Sequence, residues 1–140
     1  MTHFRFWFEM PVRYSDLDAQ GHVNNAVYFS FLEQARIEYM RALGIWRVED
    51  NLLSIGTIVA EATCTYKRPI LLGQTVRIGA RVTRLGNKSY DFEYQMLVNG
   101  VEAATARTVQ VAYDYATGQS IRVPDDWREK IRAFEHNPDL

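Results

Sequence analysis

A single cysteine, Cys64, stands among the 140 residues, which excludes an internal disulfide and the small secreted scaffolds that depend on one. Neither sign of charge is in excess. Sixteen Lys plus Arg face seventeen Asp plus Glu, so no basic field exists to hold a phosphate backbone, and nucleic acid is excluded as the expected partner. No apolar run approaches the roughly twenty residues of a membrane-spanning helix. The opening Met1-Thr2-His3-Phe4-Arg5-Phe6-Trp7 lacks the basic, apolar, small-residue order of a secretory signal, so the expected location is cytoplasmic. Metal-ligand spacings, a phosphate-binding glycine loop and a dinucleotide fingerprint are all missing, as are repeats and linker composition. What remains is 47% apolar and 24% charged, the balance of one globular domain over residues 1–140.

From Phe4 to Val12 the apolar residues Phe4, Phe6, Phe8, Met10 and Val12 alternate with Arg5, Glu9 and Arg13, the two-residue period of a half-buried strand, with Trp7 intruding on the polar face. Tyr14 to Asn25 has no period and crowds Asp, Gly and Asn together, as a loop does. A helix is expected from Ala26 to Leu43, where Tyr28, Phe31, Leu32, Ala35 and Tyr39 share a face; Val27, Phe29, Ile37 and Met40 add apolar residues on other faces, so cover on most sides is expected. Asn24 or Asn25 is placed to cap its first amides, and Gly44 to end it in a left-handed conformation. Arg47 to Gly56 is less readable. Four strands follow, Thr57 to Tyr66, Thr75 to Leu85, Ser89 to Val98 and Val101 to Tyr113, with two-residue turns expected at Gly86-Asn87 and Asn99-Gly100. The small residues Ala104, Ala106, Thr108 and Ala112 on one face of the last strand suit a closely packed helix. Pro124 to Phe134 reads as a short C-terminal helix with Trp127, Ile131 and Phe134 on one side. The class is α+β: one strand, a buried helix, then an antiparallel sheet.

Chemistry concentrates in Tyr14-Ser-Asp-Leu-Asp-Ala-Gln-Gly-His-Val-Asn-Asn-Ala-Val-Tyr28. Two carboxylates, a histidine and two amides stand just before a helix whose free N–H groups favour negative charge, so a developing oxyanion would find donors there. A plain structural account is also open at this point: Asp18 in an Asx turn, Gly21 at positive φ, His22 packed and Asn24 as cap.

The order Asp18-x-x-Gly21-His22-Val23-Asn24-Asn25-x-x-Tyr28, continuing into Phe31-Leu32-Glu33-x-Ala35-Arg36, resembles the 4-hydroxybenzoyl-CoA thioesterase-like branch of the hotdog-fold acyl-CoA thioesterases. That resemblance implies a five-stranded antiparallel sheet wrapped around a long central helix, a dimer or dimer of dimers with sites at the dimer interface, and hydrolysis of an acyl-CoA to free acid and CoA. The family's catalytic carboxylate matches Asp18, with Asp16 supporting. The backbone N–H of Asn25 matches the donor that polarises the thioester carbonyl. Asp18 serves either as nucleophile, through a mixed anhydride, or as base for a water, and the residues do not choose between them. His22 and Asn24 join the candidate catalytic set, His22 by donating to Asp18, positioning the thioester or packing, and Asn24 by orienting Asp18 or capping. Tyr28 is expected as a core or pocket-wall aromatic rather than an acid catalyst. No cofactor or metal is implied; coenzyme A enters only as part of substrate and product.

For the CoA phosphates the candidates are Arg84, Lys88 and Ser89 around the Gly86-Asn87 turn, with Lys67 and Arg68 ranked below them. Glu33 and Arg36 are expected to form a local ion pair, Glu61 to face solvent, the subunit interface or a pocket wall, and Arg77 and Arg81 to be solvent charges. Cys64 is expected as a buried thiol, and His3 and His136 as exposed. Two other readings stay open: a hotdog dehydratase or hydratase acting on acyl thioesters, and a non-catalytic acyl-CoA-binding protein.

Overall fold

A computed structural model describes residues 3–46 and 55–140. The alternating run at the start forms β1 (Phe6–Pro11), and the loop after it contains one 3-10 turn, Tyr14–Asp16, before α1 (Val27–Ala42). Then come β2 (Ile55–Tyr66), β3 (Thr75–Leu85), β4 (Ser89–Val98), β5 (Val101–Asp114), the two-residue β6 (Gln119–Ser120) and α2 (Asp125–Glu135). Most of the unreadable stretch beginning at Arg47 lies outside the described residues.

All pairings are antiparallel, in the order β1-β3-β4-β5-β2, with β6 returning along the end of β5. Six strands therefore replace the expected five. The sixth is two residues long, too short for any alternation to announce it. Asn99 and Gly100 turn the chain between β4 and β5 with φ of 52° and 76°, as a two-residue I′ hairpin requires. The β3–β4 connection differs from expectation: it spans three residues, Gly86 to Lys88, and is closed by the Gly86 N–H donating to the Ser89 carbonyl at 2.7 Å.

One face of the sheet packs on α1. Val76, Ile78, Ala80 and Val82 of β3, Tyr90, Phe92, Tyr94 and Met96 of β4, and Ala104 and Ala112 of β5 meet the helix stripe of Tyr28, Phe31, Leu32, Ala35 and Tyr39, all buried. Each large apolar side chain so buried contributes about 1.5–3 kcal/mol. Of the apolar residues on other faces, Met40 is also fully buried and Val27 and Ile37 partly so, but Phe29, Ser30 and Glu33 stay exposed, so the expected cover on most sides is found only in part. The expected Glu33–Arg36 pair is also absent. Arg36 lies on the inward stripe, 5% exposed, and donates to the Tyr94 hydroxyl at 3.1 Å. That hydroxyl shares a hydrogen with Thr108 Oγ1 at 2.8 Å, and the wholly buried Gln110 also donates to Thr108, so a polar chain interrupts the small-residue face of β5.

The outer face of the sheet is charged. Asp91, nearly buried, accepts from Arg84 at 2.8 Å and Arg107 at 2.6 Å. Arg81 bonds Glu93 and lies over the Phe4 ring, and Arg77 lies 4.2 Å from the centre of the Trp7 ring, so neither is a bare solvent charge.

β2 is an edge strand, and its pairing with β5 slips between Val59 and Glu61. Ala60 is the extra residue. Before it, Thr57 and Val59 face the helix side; after it, Ala62, Cys64 and Tyr66 do, opposite Thr108, Ala106 and Ala104. Glu61 consequently pairs with Val109 on the outer face, exposed, rather than sharing a face with Val59.

Candidate active site

Asp16, not Asp18, is the buried carboxylate of the loop. It is 2% exposed and accepts from the Arg13 backbone N–H at 2.8 Å and from the guanidinium at 2.8 and 3.2 Å. The Arg13 hydrogen bond holds its carboxyl below the usual carboxylate range against the opposing effect of burial. Its carbonyl accepts the Asn24 N–H at 2.8 Å, which ties the loop's beginning to its end. Asp16 thus shapes the loop.

Asp18 sits at the corner of a tight reversal. Its N–H donates to the His22 carbonyl at 2.8 Å, its carbonyl accepts the Gly21 N–H at 3.1 Å, and Gly21 takes a φ of 81° that a residue with a Cβ adopts only with strain. Asp18 Oδ1 accepts the Gln20 N–H at 2.9 Å and the His22 N–H at 3.3 Å, an Asx turn. The other oxygen, Oδ2, has no hydrogen-bond partner among the described residues. The backbone of His22, rather than its ring, is what bonds Asp18.

The start of α1 is unusual. Asn24 Oδ1 accepts the Ala26 N–H at 2.9 Å, and the Asn24 carbonyl accepts the Val27 N–H at 2.8 Å, so Asn24 caps the turn that leads into the helix. The Asn25 N–H has no partner among the described residues. Its carbonyl accepts the Tyr66 hydroxyl at 2.9 Å, and the Tyr66 ring meets Tyr28 edge-on with centroids 4.7 Å apart.

These groups line one cavity of about 360 Å³, bounded by Asp18, His22 and Asn25 on the loop side, by Tyr28 and Tyr66, and by Lys67, Arg68 and Pro69. Burial, with Cys64 and Tyr66 nearby, pushes the Tyr28 phenol up to about 12. Burial likewise raises Tyr66 and the half-buried Cys64 thiol behind it, so all three stay protonated at neutral pH. An exposed carboxylate with a free oxygen and an unpartnered amide therefore share a concave wall. That pair can attack, or direct water at, a carbonyl carbon and hold the oxygen that becomes negative.

Of the residues expected at the site, Asp18, His22, Asn25 and Tyr28 come together, with Asn24 holding the turn behind them. Arg84, Lys88 and Ser89 do not join them within one chain. Tyr66 pairs with Ala104, while Ser89 pairs with Val111, seven residues further along β5 and so about 23 Å away. Arg84 is also occupied, donating to Ser89 and Asp91. The cations beside Asp18 are instead Lys67, paired with Glu102, and Arg68. Tyr66 was not singled out by the sequence; its one signal was a place at the end of a strand, on the face that carries Cys64. His3 and His136 are exposed, and no cluster among the described residues is arranged to hold a metal ion.

The sequence profile of the thioesterase-like superfamily matches residues 12–131. A crystal structure of a thioesterase from Thermus thermophilus, complexed with coenzyme A and zinc, is 38% identical, with 99% of this chain and 100% of that chain covered and a TM-score of 0.84. The long-chain acyl-CoA thioesterase FadM of Escherichia coli is 28% identical over 130 residues, 90% of this chain and 96% of that one. The 1,4-dihydroxy-2-naphthoyl-CoA hydrolase of Synechococcus elongatus is 27% identical over 128 residues, 87% and 93% of the two chains.

Proposed function

The chain belongs to the thioesterase-like superfamily and is a thioester hydrolase, and we propose that it cleaves acyl-CoA to free acid and CoA with Asp18 as the reacting carboxylate. One observation carries the reading: Asp18, with one carboxylate oxygen free, and Asn25, whose N–H has no partner among the described residues, line the same cavity. In the nucleophilic route, an Asp18 oxygen bonds to the thioester carbon and the carbonyl pair moves to oxygen, held by the Asn25 N–H. The intermediate collapses and expels CoA as thiolate. Water then cleaves the mixed anhydride, releasing the acid and restoring Asp18. In the general-base route, Asp18 takes a proton from water as the water attacks the same carbon. A thiol resembling cysteine, with a pKa near about 8.5, leaves without a strong acid to protonate it.

The finer fold reading accompanies this: the five long strands and α1 as a hotdog, with β6 added. So does a homodimer, with tetramers built from it. Antiparallel pairing of two β2 edges would lay the Ser89 end of one copy beside the Asp18 end of the other, which brings Lys88 and Ser89 toward a CoA that one chain alone cannot offer them. Support comes from the twelve-residue edge of β2, with Ile58, Val59 and Tyr66 exposed.

The test is hydrolysis of short, long and aryl acyl-CoAs by the parent and Asp18→Asn. A loss in kcat of about 100-fold or more is expected. Equal rates would remove Asp18 from the reaction, binding without turnover in the parent would leave a carrier protein, and hydration of enoyl-CoA would favour a hydratase.

A further inference from the structure

We propose that Tyr66 is a positioning residue: its hydroxyl fixes the peptide that follows the Asn25 donor, and so aims the donor into the cavity. This inference rests on the Asn25 amide serving the hydrolysis described above. In a regular helical turn the Asn25 carbonyl would accept the Phe29 N–H. Here Phe29 donates to the Ala26 carbonyl at 3.3 Å and Val27 to the Asn24 carbonyl at 2.8 Å, each three residues back, so the first turn is tightened and the Asn25 carbonyl is left out of the ladder. Tyr66, at the end of β2 and 41 residues distant in sequence, takes that place with a hydrogen bond of 2.9 Å.

The same peptide unit is held at its other end, since the Ala26 N–H donates to Asn24 Oδ1 at 2.9 Å. Two side chains, one from the loop and one from the sheet, therefore clamp the peptide between Asn25 and Ala26. The peptide before it is fixed at its carbonyl by Val27, leaving its N–H, that of Asn25, as the one end without a partner among the described residues, in a residue that lines the cavity together with Asp18. Without the Tyr66 hydroxyl the Asn25 carbonyl is released to regain Phe29, the turn relaxes toward regular helical geometry, and the donor swings off the position of the developing oxyanion. The Tyr66 ring stays put in this account, because its edge-on contact with Tyr28 does not involve the hydroxyl.

The experiment compares the parent, Tyr66→Phe, Tyr115→Phe and Asp18→Asn in steady-state hydrolysis of the acyl-CoA panel, with melting curves for each. Tyr115 is the control, since its hydroxyl donates to a β2 carbonyl, that of Thr57, at the same 2.9 Å but at the opposite end of the strand. Tyr66→Phe is expected to lose about ten-fold in kcat with KM within about two-fold, the pattern of a group that acts only in the transition state, and to keep the shape of its pH profile. Tyr115→Phe should keep both constants. A parent-like kcat in Tyr66→Phe, or a raised KM with kcat unchanged, overturns the inference, the second because it would make Tyr66 a substrate contact. If Asp18→Asn is inactive and Tyr66→Phe is parent-like, only this inference falls; if Asp18→Asn hydrolyses at the parent rate, the reaction assigned to the site falls with it.

Discussion

Glu135 puts a carboxylate in a half-buried place, where one oxygen receives the Tyr39 hydroxyl at 2.5 Å and the Val82 N–H at 3.0 Å. Burial raises its pKa despite those donors and the nearby charges of Arg81 and Arg5. A carboxylate raised on folding adds stability that is complete below its unfolded value, near 4.5, and is lost as pH rises through the folded value. Glu135→Gln is therefore expected to flatten that decline, seen as a melting temperature that falls less than the parent's as pH rises from about 4 toward neutrality. Asp91 has the opposite sign: burial raises it, Arg84 and Arg107 outweigh burial, and the stability it brings is lost as pH falls. Single residues were legible in the sequence where their partners are near in the chain. Asp18, His22, Asn25 and Tyr28 fall within one short stretch and meet. Arg36 was misjudged because three-residue spacing makes Glu33 a neighbour on the helix surface, whereas its four-residue spacing from Leu32 also puts it on the inward stripe. Tyr66 had no signal beyond its place at the end of a strand, since what it holds is a carbonyl in another part of the chain.

Helix α2 is fastened both by its apolar side and by Arg128. Trp127 and Ile131 are buried as their spacing foretold, and Phe134 is partly so. Arg128, 6% exposed, donates to the carbonyls of Val123, Gly86 and Asn87, and so clamps the β3–β4 connection onto the helix. Arg128→Leu should cost about 2–3 kcal/mol, read as a lower urea midpoint, because carbonyls lose charged donors in a place with little water. This clamp explains the three-residue turn. Gly-Asn alone reads as a tight hairpin, but the conformation there is set by a guanidinium some forty residues further on, and Lys88 is drawn into the connection. Elements with continuous alternation, β3 and β4 above all, kept their expected bounds.

At the scale of the whole molecule, the order of strand and helix was readable because each long element has its own period, while the separation of the two ends of the sheet was not. That separation is why Arg84, Lys88 and Ser89 cannot serve the Asp18 cavity of their own chain. Ile58→Lys, on the exposed edge strand, is expected to leave the chain folded by circular dichroism, to shift it from dimer to monomer in analytical ultracentrifugation, and to lower turnover in parallel. A parent that is fully active as a monomer would remove the two-copy site. The extra residue at Ala60 bears on inheritance as well. Because Ala60 is the residue of β2 without a partner on β5, losing its codon would join Val59 to Glu61 in regular alternation and keep Cys64 and Tyr66 facing inward, whereas the same loss within β4, which carries no extra residue, would turn every side chain beyond it to the other face. Among descendants of this chain, loss of a single residue should survive at this point of β2 and not within β4.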